Sequence, residues 1–183
     1  MSERKNAPGD STLAALLREP RKRGRPRHDV ARQTVYVALS ADQKTLISRL
    51  ARQLPAGLGR ADVPDMAVMT LATRLGAVRR AVAGRARELP EGITDFESLY
   101  YLWDLLPVPA AEESRWTSVR LSPQQAVEIG RLQGALNALF GINRSDVFTL
   151  ALALLDDLFL HTPLPPDCDT LTDFQEWLQE TFL

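Results

Sequence analysis

Residues 32–59 and 114–141 are two copies of one pattern, and a chain that carries the same core twice has to bury it twice. At an offset of 82 with no gap the copies agree at 10 of 28 positions: Val37/Val119, Leu39/Leu121, Ser40/Ser122, Gln43/Gln125, Ile47/Ile129, Arg49/Arg131, Leu50/Leu132, Leu54/Leu136, Ala56/Ala138 and Gly59/Gly141. Most of these are core-forming residues, so the copies are expected to share a fold. The likeness continues in the same order, with Leu89-Pro90 before Thr94-Asp95-Phe96 and Leu164-Pro165 before Thr172-Asp173-Phe174. Each Thr-Asp-Phe is expected to open a short capping helix. Phe96, Leu99, Tyr100 and Trp103 are apolar in one, and Phe174, Trp177 and Leu178 in the other.

Within each copy the hydrophobic period changes. Val35, Val37 and Leu39 alternate with Thr34, Tyr36 and Ala38, and Thr117, Val119 and Leu121 alternate with Trp116, Ser118 and Arg120. Period two over so short a run predicts a strand with one inward face. Ser40 with Gln43, and Ser122 with Gln125, then form the Ser-x-x-Gln of a capping box. Leu46, Ile47, Leu50 and Leu54 follow at helical spacing, as do Ile129, Leu132, Leu136 and Leu139, and Gly59 and Gly141 are expected to end those helices. A second helix is expected in each copy. Asp62 caps the first, with Pro64 in its opening turn, and Ser145 caps the second. Its apolar face is Ala67, Val68, Leu71, Ala72 and Leu75 in one copy and Val147, Leu150, Ala151, Leu154, Leu155 and Leu158 in the other, now 83 residues apart.

A strand, a capped helix, a glycine-containing turn and a second helix resemble the ribbon-helix-helix family of DNA-binding proteins. The residues that carry the resemblance are Thr34-Val35-Tyr36-Val37-Ala38-Leu39-Ser40 with Gly59-Arg60-Ala61-Asp62, and Trp116-Thr117-Ser118-Val119-Arg120-Leu121-Ser122 with Gly141-Ile142-Asn143-Arg144-Ser145-Asp146. The fold this implies is mainly α, a tandem pseudo-dimer whose two strands pair as an antiparallel ribbon, with extra capping helices. Its expected divisions are 1–31, a basic arm; 32–75, the first unit; 76–113, a helical linker and capping helix; 114–160, the second unit; and 161–183, an acidic capping helix. One such unit alone has no strand partner, and tethering makes the other copy the expected one.

The resemblance also implies a site. The outward strand residues Thr34, Tyr36, Ala38, Trp116, Ser118 and Arg120 would read base edges of double-stranded DNA in the major groove. Arg120 is the foremost of these, because a guanidinium bonds guanine O6 and N7 together. Ala38 can only touch a thymine methyl, and the bulk of Trp116 also suits a packing role. Phosphate contacts are implied at the start of the second helices, at Arg60 and at Asn143, Arg144 and Ser145. The alternatives are a solvated strand face and ordinary capping, and Asp62 and Asp146 stand against an anion.

Charge is uneven along the chain. Residues 1–32 hold nine Lys/Arg against four Asp/Glu, residues 33–110 nine against eight, and residues 111–183 four against eleven. The basic run Arg21-Lys22-Arg23-Gly24-Arg25-Pro26-Arg27 resembles the AT-hook, in which Gly24 and Pro26 keep the backbone close and extended while Arg23, Arg25 and Arg27 lie in a narrow A·T minor groove. A generic polybasic tail is the alternative.

Other chemistries find little support. His28 and His161 lack metal-ligand spacing, and Asp156-Asp157 reads as a solvated helix end, so no metal and no cofactor is expected. Cys168 is the single cysteine and stands between two acids, which disfavours a thiolate. Gly84-Arg85-Ala86-Arg87 reads as the basic end of a long helix rather than a phosphate loop. The aromatic run Leu99 to Trp103 can pack on its own core, join an oligomer or line an effector pocket. No apolar run approaches the roughly 20 residues of a membrane span. The expectation is a cytoplasmic, nucleoid-associated, non-enzymatic DNA-binding protein and transcriptional repressor. A plasmid-partition, conjugation-accessory or nucleoid role, or an antitoxin bound to a protein partner, is the alternative.

Overall fold

The computed structural model describes residues 31–84, 92–108 and 114–182. These contain two strands and six helices: β1 (Gln33–Leu39), α1 (Ala41–Leu50), α2 (Val63–Ala83), α3 (Phe96–Leu102), β2 (Arg115–Leu121), α4 (Pro123–Phe140), α5 (Arg144–His161) and α6 (Leu171–Phe182). The chain is mainly helical, and its one sheet is the antiparallel pair β1–β2. Tyr36 lies opposite Ser118, Thr34 opposite Arg120 and Ala38 opposite Trp116. Because Ser118 is the residue 82 positions on from Tyr36, the pairing is centred on equivalent positions of the two copies.

Alternation decides which face of the ribbon is inside. Val35, Val37, Leu39, Val119 and Leu121 are buried, while their neighbours on the other face are mostly exposed. The buried face is closed by helices, with α5 against β1 and α2 against β2. Those two helices also pack on each other and supply most of the core, including Met66, Val68, Leu71, Phe148, Leu150, Leu154 and Leu155. Each such side chain contributes about 1.5–3 kcal/mol by leaving water. The C-terminal α6 lies against α2, where it buries Phe174 and Leu178.

The copies diverge at the end of the first helix. Gly141 ends α4 in the left-handed region at φ 68, as its sequence suggests. Gly59 does not end α1, which stops at Leu50. Pro55 explains the difference. It disfavours helical backbone at Leu54 and has no N–H to donate to Ala51. The chain turns instead, with Gln53 N–H donating to Leu50 O at 2.9 Å and Leu58 N–H to Pro55 O at 3.1 Å. Leu54 therefore packs on the core from a turn rather than from a helix. The equivalent of Pro55 is Asn137, so α4 runs on, and its last turn leaves Leu139 exposed rather than in the core.

Capping also departs from expectation. Ser40 and Gln43 form the full reciprocal box. Ser122 accepts from Gln125 N–H, but its own N–H donates to Asp65 Oδ1 at 2.8 Å, so Gln125 does not complete a box. The cap of α5 is Asn143, not Ser145. Asp62 occupies the cap position of α2 without a side-chain capping bond. The two Thr-Asp-Phe runs are not equivalent in structure: Asp95 caps α3, whereas α6 starts at Leu171, with Thr170 and Asp173 bonded reciprocally. Helix α2 extends beyond residue 75 to Ala83 and is capped by Gly84; Arg85 and Arg87 lie outside the described residues.

The turn that replaces the end of α1 meets the loop before α6. A Cβ on Gly57 would lie 2.2 Å from the carbonyl oxygen of Asp169, too close for any side chain. Gly57→Ala is therefore expected to cost about 1–3 kcal/mol in urea denaturation through forced backbone shifts. Gly59→Ala, whose Cβ meets nothing nearer than Asp62 Oδ2 at 3.8 Å, should be neutral. Equal effects of the two changes would refute this close approach. The strand register makes a second expectation. Cysteines in place of Tyr36 and Ser118, in a Cys168→Ser chain, should oxidise to a disulfide within one chain, because directly opposed strand positions stand about 4.5–5.5 Å apart. Dimers alone on a non-reducing gel would disprove the pairing.

Candidate nucleic-acid interface

The strand alternation that buries five apolar residues sends the opposite set outward. Tyr36 is 64% and Trp116 75% exposed, and Thr34, Ser118 and Arg120 are exposed beside them. Ala38 is half-buried, and its N–H donates to Ser145 Oγ at 2.8 Å. Two large aromatics and an arginine thus stand exposed on one surface two strands wide.

The ribbon is bordered on both sides by helix starts. On the β1 side lies the first turn of α5, where Asn143 Oδ1 accepts from Ser145 N–H at 2.7 Å and Asp146 N–H at 3.2 Å. Asp146 Oδ2 in turn accepts from Asn143 N–H at 3.0 Å. These backbone donors are already occupied. Arg144 is exposed next to them, whereas Ser145 is buried with its hydroxyl on Ala38. The cation at this helix start is therefore a side chain reaching out from a closed cap.

On the β2 side, Lys44 of α1 and the exposed Arg60 line one hollow of about 380 Å³ with Ser118 and Arg120. Lys44 escaped the reading of the repeat because its counterpart is Ala126, so nothing in the pattern marked it. Its position, four residues past the Ser40 cap, was the available signal.

Behind Arg60 the start of α2 holds a compact ionic cluster. Arg32 donates to Asp62 Oδ1, to Ala61 O and, at 3.3 Å, to Arg120 O. Asp65 Oδ2 stands 3.1 Å from Arg32 Nη1 as an ion pair. Asp62 Oδ2 accepts from Gly59 N–H at 2.8 Å. This cluster joins the first residues of the ribbon, the start of α2 and the end of β2. Burial raises the Asp65 carboxyl above its usual range, against the lowering effects of the Ser122 hydrogen bond and of Arg32.

At the far end of the ribbon, Ala38 and Trp116 share a hollow of about 490 Å³ with Phe96, Glu97, Tyr100, Pro107, Val108, Asn143 and Asp146. Burial, and secondarily the charge of Asp146, push the Tyr100 phenol up. The aromatic run is divided: Leu99 and Tyr100 are in the core, while Tyr101 is exposed. Leu99 and Leu102 also border an apolar hollow of about 560 Å³ with Leu75, Val82, Leu136 and Leu139.

Arg23, Gly24, Arg25, Pro26 and Arg27 lie outside the described residues. Asp156 pairs with Arg49 at 2.6 Å and Asp157 with His161 at 3.0 Å. No group of three or more His, Cys, Asp or Glu suited to a metal occurs among the described residues. Cys168 is buried, which raises its thiol, as do Asp173, Asp167 and Asp169. No single described helix is long and apolar enough to cross a membrane. No family model matches the chain, and neither does any curated protein or solved structure.

The raised Asp65 carboxyl makes a pH prediction. The folded chain holds that proton more tightly than the unfolded chain, so this group's contribution to stability falls as pH rises from about its ordinary 3.8 through the raised value. Asp65→Asn removes the titration. In urea melts across this window, the stability of the variant relative to the parent should rise with pH. A difference that falls with pH would mean that Arg32 outweighs burial and that the carboxyl is depressed instead.

Proposed function

We propose that this chain is a sequence-specific double-stranded-DNA-binding protein that acts as a transcriptional repressor, built as a tandem ribbon-helix-helix pseudo-dimer. The observation that carries this reading is the ribbon itself. Its strands come from the two copies and pair about equivalent residues, and its inner face is sealed by helices. The other face presents Tyr36, Trp116 and Arg120 to solvent. A two-stranded ribbon fits the major groove, and side chains alternating along it meet successive base edges. Exposed Tyr, Trp and Arg in one patch are also what binding surfaces are rich in.

Roles divide by position. Arg120 hydrogen-bonds a guanine. Tyr36, Thr34 and Ser118 contact bases or sugar-phosphate nearby. Ala38 and Trp116 supply apolar contact. Arg60 and Arg144, on opposite sides of the ribbon, fix its register by pairing with phosphates, Asn143 and Ser145 holding the α5 start in place. The arm with Arg23, Arg25 and Arg27 adds minor-groove and phosphate contacts. No catalytic step and no cofactor belong to this reading. The apolar hollow beside α3 keeps a protein partner or effector open as an addition to DNA binding.

Affinity for a selected duplex should fall steeply with salt, because each phosphate neutralised releases counterions. Arg23, Arg25 and Arg27 changed together to Ala should lower affinity on every duplex and flatten that slope. Arg120→Ala should cost on the order of 1–3 kcal/mol and relax selectivity at one base pair. Titration by fluorescence anisotropy checks both. An Arg120→Ala protein with unchanged affinity and site choice would remove the ribbon from the readout, and equal affinity for all duplexes would reject the regulator reading.

A further inference from the structure

Where α2, α3 and α4 come together they leave an apolar hollow of about 560 Å³. Its walls are largely aliphatic, with Leu75 and Val82 from α2, Leu99 and Leu102 from α3, and Leu136 and Leu139 from α4. Leu139 is 73% exposed, so this is apolar surface facing water rather than sealed core. Apolar surface in that state is unfavourable. A concave site of about 300–1,000 Å³ with such walls is the usual form of a small-molecule pocket. None of its described lining residues belongs to either strand, so the hollow is separate from the ribbon face.

The charge around the hollow is mainly of one sign. Arg79 of α2 and Arg131 of α4 line it, and no acid among the described residues does. Gly76 lines it as well, and Arg80 lies close to that glycine, where a Cβ would be 3.5 Å from Arg80 Nη1. Arg131 is paired with Glu128 at 2.7 Å. Arg79 and Arg80 have no acidic partner among the described residues. Three arginines against one carboxylate leave the rim cationic, and the planar guanidinium fork matches a carboxylate. The same charge opposes a second copy of the chain at this place. A two-fold contact sets each patch on its own duplicate, so arginines would meet arginines.

We propose that this hollow binds a small amphipathic carboxylate, with its aliphatic body against the leucines and its carboxylate on the arginines of the rim, Arg79 foremost. The occupant touches α2, α3 and α4 at once. Its binding goes beyond the reading of the ribbon and does not depend on it.

Isothermal titration calorimetry of the full chain with octanoate tests this. Octanoate should bind in a one-to-one ratio. Octanol, of the same chain length, should bind about tenfold or more weakly, since hydrogen bonds to a charged group are the stronger kind. Arg79→Gln combined with Arg131→Gln should weaken octanoate by about the same factor and leave octanol unchanged. Ala135→Trp places an indole in the hollow from an exposed helix position and should abolish binding of both ligands. Leu139→Asp, also at an exposed position, should weaken both, so the outcome does not rest on one variant. An unaltered thermal melt shows that each variant is folded. Equal binding of octanoate and octanol would overturn the proposal, as would no binding at all. So would octanoate binding that Ala135→Trp and Leu139→Asp leave untouched. A chain that dimerises at calorimetric concentration, and is monomeric with Leu139→Asp, would assign the face to a second copy instead.

Discussion

Val35, Val37 and Leu39 on β1, with Val119 and Leu121 on β2, are buried on one face of a ribbon only two strands wide. Such a ribbon is marginal in water by itself. It persists here because α5 covers one strand and α2 the other, and because those helices lean on each other. Remove either strand and its partner loses its whole ladder, and both helices lose the surface they cover. The arrangement leaves the opposite ribbon face open, and this is why Tyr36 and Trp116 are exposed.

The two copies solve the same packing problem with different polar chemistry. At the start of α5 Asn143 and Asp146 close the cap reciprocally, and the neutral Ser145 ties the helix to Ala38 N–H. At the start of α2 a charged set does the work: Asp65 accepts from Ser122 N–H, and Arg32 binds both acids. A charged cluster that is largely out of water is costly unless its partners are all present. The position of the first ribbon residue is therefore bound to the folding of α2 and β2. The same cluster fixes Arg32, which leads into β1, so the polar partners at the two ends of the ribbon differ.

Much of the fold was readable from residue spacing. The alternation of Thr34 to Leu39 and of Trp116 to Leu121 identified both strands and, except for the half-buried Ala38, their exposed residues, and the second-helix faces at Val68, Leu71, Leu150 and Leu154 lie in the core as their spacing implies. The candidate site was legible to the same degree, since facing outward is a property of the strand alone. Lys44 was not, because it lines one hollow with Ser118 and Arg120 only once the chain is folded. Leu139 misled because a helical apolar position is buried only if something packs there, and the last turn of α4 leaves it exposed. Ser145 misled because two polar residues near a helix start compete for the cap, and Ala38 N–H engages one of them.

The sequence by itself determined where the two strands and most of the helices lie and which face of each is apolar. These follow from periods of two and 3.6 residues, which are written locally. Tertiary structure decided the register that sets Tyr36 against Ser118 and the pairing of Arg32 with Asp62 and Asp65. It also decided the close approach of Gly57 to Asp169 and the bond from Arg32 to the Arg120 carbonyl oxygen. These depend on which distant atoms come within a few ångströms of each other. For groups 30 to 107 residues apart, such as Arg32 with Asp62 or Ala38 with Ser145, no local period carries that information.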